Sequence, residues 1–179
     1  MNCNTKLVLG LISFVLFACN PAEVKKETAD HRIYTSAQNR LYFKNVRSIY
    51  YTKESNSNAY LDYYRYKDAC KRQDIPVLNL CIVDAWDRDE AYLLVEPNDF
   101  FDNKDTFAIN WLDKKSGMTG KFVFERHMPN QEYKFAADLF ASMRADIKLS
   151  YKGMDIFDET RKKAFVKTFR DYENLIRQK

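Results

Sequence analysis

Through the middle of the chain apolar positions come in short blocks, and near the end they shift to a helical rhythm. Residues 40–52 (RLYFKNVRSIYYT) are dense in Tyr, Phe, Val and Ile, which suit a pleated, half-buried surface, and they predict a strand. A turn cluster follows at residues 54–58 (ESNSN). Residues 60–66 (YLDYYRY) carry aromatic side chains on both alternating sets and are read as a strand. The continuous apolar run 77–83 (VLNLCIV) predicts a central strand, and residues 91–95 (AYLLV) predict its partner across a turn at 84–90 (DAWDRDE). Residues 107–112 (FAINWL) and 121–125 (KFVFE) form a further hairpin, its loop supplied with Gly117 and Gly120 for positive-φ positions.

The rhythm then becomes helical. A helix is predicted over about 131–144 with Asn130 as its cap, because Phe135, Leu139 and Met143 recur every four residues. Residues 147–151 (IKLSY) alternate like one more strand. The last helix spans about 159–177, capped by Asp158, with Phe165, Phe169, Tyr172 and Ile176 as its apolar stripe. Six or seven strands with two late helices predict an α+β fold on an antiparallel sheet, within one domain at residues 31–179.

The N-terminal end has a different character. Lys6 precedes a 12-residue apolar run, LVLGLISFVLFA, whereas spanning a bilayer takes about 20 helical residues. A removable secretory signal at residues 1–18 accounts for that length. The run ends Leu16-Phe17-Ala18-Cys19, which resembles the lipobox of bacterial lipoproteins, with Phe17 bulkier than usual at its position. The resemblance covers about the first 20 residues and implies a processing class, not a fold. It implies cleavage before Cys19, a diacylglycerol thioether on the Cys19 sulfur and an acylated amino group. The bilayer would then be a partner through the acylated (palmitate-type) Cys19. Asn20 in the place where Asp would retain the protein in the inner membrane points to the outer membrane. Residues 19–30 read as a lipidated, flexible tether, of which residues 20–30 (NPAEVKKETAD) reach at most about 36–40 Å.

Composition narrows the remaining chemistry. Hydrophobic residues at 46% and aromatic residues at 15% exclude a disordered chain. A net charge of +4 from 29 basic and 25 acidic groups is too small and too mixed for a nucleic-acid binder. Loss of the signal would remove Cys3, leaving Cys70 and Cys81 as two thiols in an oxidising compartment, where they are expected to pair. His31 and His127 have no neighbouring ligand at metal-binding spacing, so neither a metal nor a cofactor is expected.

Two functions remain in view. The first is an anchored envelope protein, non-catalytic, that binds another macromolecule as an assembly accessory or an inhibitor or immunity-type protein. Tyrosines suit such a face, one end of the ring buried and the other in contact, and Tyr60, Tyr63, Tyr64 and Tyr66 are the candidates. The alternative is a small envelope hydrolase using the acids between Asp84 and Glu90, with Asp84, Asp87 and Asp89 as acid and base. The basic groups Arg161, Lys162, Lys163, Lys167 and Arg170 on the last helix could also face an anionic surface.

Overall fold

The computed structural model describes residues 33–126 and 130–177. Cys19, the signal, the tether, His31 and His127 lie outside the described residues. The fold is α+β, with eight strands in two antiparallel sheets of four rather than in one sheet. After α1 (Ala37–Tyr42), the chain continues through a π-helical turn (Phe43–Arg47) and a 3-10 turn (Ser48–Tyr50). Sheet A follows, in the order β1 (Tyr51–Asn56), β2 (Leu61–Tyr66), β3 (Leu78–Ala85) and β4 (Glu90–Pro97). Sheet B contains β5 (Thr106–Leu112), β6 (Thr119–Glu125), β7 (Lys148–Tyr151) and β8 (Met154–Asp155), in the order β6-β5-β7-β8. Helix α2 (Gln131–Arg144) separates β6 from β7, and α3 (Glu159–Ile176) closes the chain.

The period-2 rule fixes what each strand of sheet A buries. Tyr64, Ile82 and Leu93 stand opposite one another in register across β2, β3 and β4, and all three are buried. Helix α3 packs on β3 and β4, where the Tyr172 hydroxyl donates to the Ala91 carbonyl at 3.3 Å. Every residue of the predicted stripe on α3 is buried. Asp158 caps the helix, its side chain accepting from Arg161 N at 2.8 Å. Helix α2 covers sheet B through Phe135, which meets Phe107 and Phe124 at ring separations of 5.6 and 5.1 Å. Phe140 stacks on Phe169 at 4.7 Å, joining the two helices in one core.

Three local expectations change. Asn130 adopts φ 57° and makes no side-chain cap; its carbonyl accepts from Lys134 N instead. Gly117 does take a positive φ of 73°, but Gly120 does not. Gly120 lies opposite Trp111 in the β5–β6 register, and a Cβ there would come within 2.5 Å of the indole, so the need is for space. The largest change is at residues 40–52, most of which are helical, with strand beginning at Tyr51. Ser36 caps α1 by accepting from Asn39 N at 3.1 Å. Arg47 then holds Asp171 of α3 through two hydrogen bonds of 2.8 and 2.9 Å, and the Tyr51 hydroxyl donates to the same carboxylate at 2.7 Å. Burial, reinforced by the bond to Asp171, raises the Tyr51 pKa far above the usual phenol value.

Replacing Asp171 would leave the Arg47 guanidinium and the Tyr51 hydroxyl without their acceptor. Asp171→Ala is expected to cost about 3 kcal/mol in urea unfolding. A loss under about 1 kcal/mol, the range of an exposed ion pair, would show that the contact does not hold the helical segment down.

Candidate functional site

Asp62 on β2 stands directly opposite Asp84 on β3, and both carboxylates are buried on the inner face of sheet A. Unpaired, each would lose several kcal/mol of hydration. Arg40 Nε donates to Asp84 Oδ1 at 2.9 Å, and Lys44 Nζ lies 3.0 Å from Oδ2. Lys53 Nζ sits 2.9 Å from Asp62 Oδ2, while Ser55 Oγ donates to Oδ1 at 2.7 Å. Burial alone would raise the Asp62 pKa; the bonds from Lys53 and Ser55 outweigh it and hold the carboxyl below its usual range. Arg40 also reaches Asp89 in the β3–β4 turn.

This polar cluster lines an open cavity of about 510 Å³, bounded by Arg40, Lys44, Lys53, Ser55, Asp62 and Trp86. At its edge two exposed rings meet. Tyr60, held at φ 56° in the β1–β2 turn, packs edge-on against Trp86 with ring centroids 4.9 Å apart. The Trp86 backbone N–H donates to the Tyr60 carbonyl at 3.2 Å, locking one turn to the other. The arrangement offers an aromatic corner, its two rings nearly perpendicular, beside ammonium, guanidinium, hydroxyl and carboxylate groups, a surface suited to recognition by stacking and hydrogen bonding. Compared with family models, with curated proteins and with solved structures, the chain finds no match.

The predicted tyrosines divide. Tyr60 is 48% exposed at the corner, and Tyr63 lies half-buried on the outer face of sheet A with the Arg65 guanidinium 5.8 Å above its ring. Tyr64 and Tyr66 belong to the core, correcting their place on a binding face. Alternation turns them inward, where Phe43 meets Tyr64 at 5.0 Å and Tyr51 meets Tyr66 at 5.6 Å. The acids divide as well. Asp84 is buried between two cations, while Asp87 pairs with Arg88 in the turn at 3.5 Å and Asp89 is exposed beside Arg40. None of the three lines the cavity beside Trp86. Among the described residues no cluster of three or more His, Cys, Asp or Glu side chains is placed to hold a metal.

Cys70 and Cys81 are free thiols, so the expected disulfide is absent. Cys81 lies mid-strand in β3 and is fully buried, with burial pushing its thiol pKa up to about 12; Cys70 is half-buried in the β2–β3 loop. Asp62 and the cations Arg40, Lys44 and Lys53 escaped sequence reasoning. The signal that could have found two of them is the spacing of Arg40, Lys44 and Arg47 at i, i+4 and i+7, which is helical.

Alkylation of the native protein at pH 8, mapped by peptide mass, is expected to modify Cys70 and spare Cys81. Protection of both sulfurs that ends on reduction would restore the disulfide. Acid sensitivity follows from Asp62. Its folded pKa is depressed, so its stabilisation is complete above the unfolded value near about 4 and fades as pH falls through the lower folded value. Asp62→Asn is therefore expected to flatten the fall of the urea midpoint between about pH 5 and pH 2. An unchanged slope would mean that Asp62 has no such depressed pKa.

Proposed function

We propose that this chain is a lipid-anchored protein of the cell envelope, acylated at Cys19 and held at the outer membrane, that binds another macromolecule as an assembly accessory or an inhibitor or immunity-type protein. The Tyr60–Trp86 corner with its adjoining cavity is the binding site. The anchoring rests on the lipobox resemblance at residues 16–19. Among the described residues no helix is long and apolar enough to cross a membrane.

The observation that carries the binding reading is the exposed Tyr60–Trp86 pair at the tip of two hairpins. Each ring has two side-chain torsions, so immobilising it against a partner costs little entropy for the area covered. Trp and Tyr are also the residues most often found as energetic anchors of interfaces. The backbone bond between the two turns holds the corner rigid before contact. The hydrolase reading on Asp84, Asp87 and Asp89 draws no support from this geometry, because Asp84 is committed to Arg40 and Lys44.

Intact mass of the membrane-extracted protein should show the acyl increment, and Cys19→Ala should abolish it. A processed chain of unmodified mass would remove the anchor. Trp86→Ala and Tyr60→Ala are each expected to weaken retention of the co-purifying partner by about 30-fold, the scale of an interface anchor. Native retention by both variants would move the binding site elsewhere.

A further inference from the structure

The segment from α1 to the 3-10 turn is an inside-out amphipathic helix. Its cations point inward: Arg40 and Lys44 to Asp84, and Arg47 to Asp171. Phe43 also points inward, but the other large apolar side chains point outward, with Leu41 62% exposed, Ile49 60% exposed, and Tyr42 and Val46 exposed between them. Four exposed large apolar side chains within nine residues of sequence are more than ordinary scattered exposure explains.

Beside this ridge runs a basic groove. Lys163, Lys167 and Arg170 fall at i, i+4 and i+7 on α3, along the side turned away from the buried stripe. Together with Tyr42 and Arg47 they line a cavity of about 450 Å³. Among the described residues no carboxylate pairs with any of the three. Asp171, the acid within the groove, is already held by Arg47 and Tyr51. Lys167 lies 3.7 Å from the centroid of the Tyr50 ring, so the groove and the ridge share a wall.

We propose that this face docks on an anionic bilayer, with headgroup phosphates in the Lys163–Lys167–Arg170 groove and Leu41, Val46 and Ile49 entering the interface. Apolar side chains flanked by unpaired cations are what an interfacial surface needs, since burial and attraction to anionic lipid add. The occupant follows from charge and from chain order. Ridge and groove are complementary to a surface that is apolar inside and anionic at its rim. Among the described residues α1 is also the first helix in the chain, and the tether, with eleven residues at 20–30, reaches at most about 36–40 Å. A tether that short keeps the bilayer at high effective concentration, so a weak patch suffices. The inference rests on the anchored reading of Cys19.

The test uses the acylated chain in vesicles of phosphatidylethanolamine and phosphatidylglycerol with brominated acyl chains, which quench nearby indoles. Ile49→Trp is expected to be quenched well beyond the background of Trp86 and Trp111 in the unsubstituted chain, whereas Val123→Trp on β6 is not. The excess should fall at least about threefold in phosphatidylcholine vesicles and in the K163Q/K167Q/R170Q variant, since each cation near an anionic surface contributes measurably to binding. Flotation without excess quenching at position 49 overturns the docking while leaving the anchor intact. A concentration-dependent blue shift of the position-49 indole without vesicles overturns it in favour of a second copy covering the ridge. Failure to float removes the anchor, and this inference with it.

Discussion

Three carboxylates buried against sheet A and α3 impose a demand that the rest of the structure answers. Asp62, Asp84 and Asp171 are nearly inaccessible, and each would be strongly destabilising without a cation in direct contact. Arg40 and Lys44 meet Asp84, Arg47 meets Asp171 and Lys53 meets Asp62. Three of these four cations come from the segment between Ala37 and Tyr50. That segment is therefore pinned with its charged side toward the protein. Ion pairs of this kind add little net stability over a well-packed apolar alternative, yet losing one partner is severe, so they fix position more than they deepen the energy well.

Pinning the charges inward leaves the apolar side outward. Leu41, Val46 and Ile49 are exposed because Phe43, Arg40, Lys44 and Arg47 occupy the inward positions. The π-helical turn at Phe43–Arg47 sits within this segment; such turns are rare and frequently accompany functional sites. The same cations shape the cavity beside Trp86, so the polar cluster supports two surfaces at once: the aromatic corner at the hairpin tips, and the ridge beside the α3 groove.

The two sheets meet these demands differently. Sheet B is closed by aromatic packing, with Phe101, Phe107, Phe124 and Phe135 in contact and no buried charge among them. Sheet A carries the buried acids Asp62 and Asp84 and the free thiol of Cys81, with the exposed rings of Tyr60 and Trp86 at its turns. The candidate chemistry is thus concentrated on the sheet whose interior is not purely apolar.

Short-range patterns were sufficient for much of this fold. Short apolar runs, turn clusters and, at β7, alternation located β2 to β7, the stripe Phe165, Phe169, Tyr172 and Ile176 located α3, and Asp158 marked its cap, because these features depend on residues close by in sequence. Residues 40–52 defied the same reasoning. Their aromatic and β-branched content favours a strand, but the pairing of Arg40, Lys44 and Arg47 with acids 40 to 124 residues distant overrides that preference. Alternation likewise said that the tyrosines of β2 divide between two faces, though not which face would be covered. The division of eight strands into two sheets was also invisible, since β5 pairs with β7 across the whole of β6 and α2. The sequence by itself determined the local elements and the lipobox resemblance; the tertiary structure decided which charges are buried and which rings are exposed. The physical reason is range: periodicity records a residue's own element, whereas burial depends on what another part of the chain brings to it.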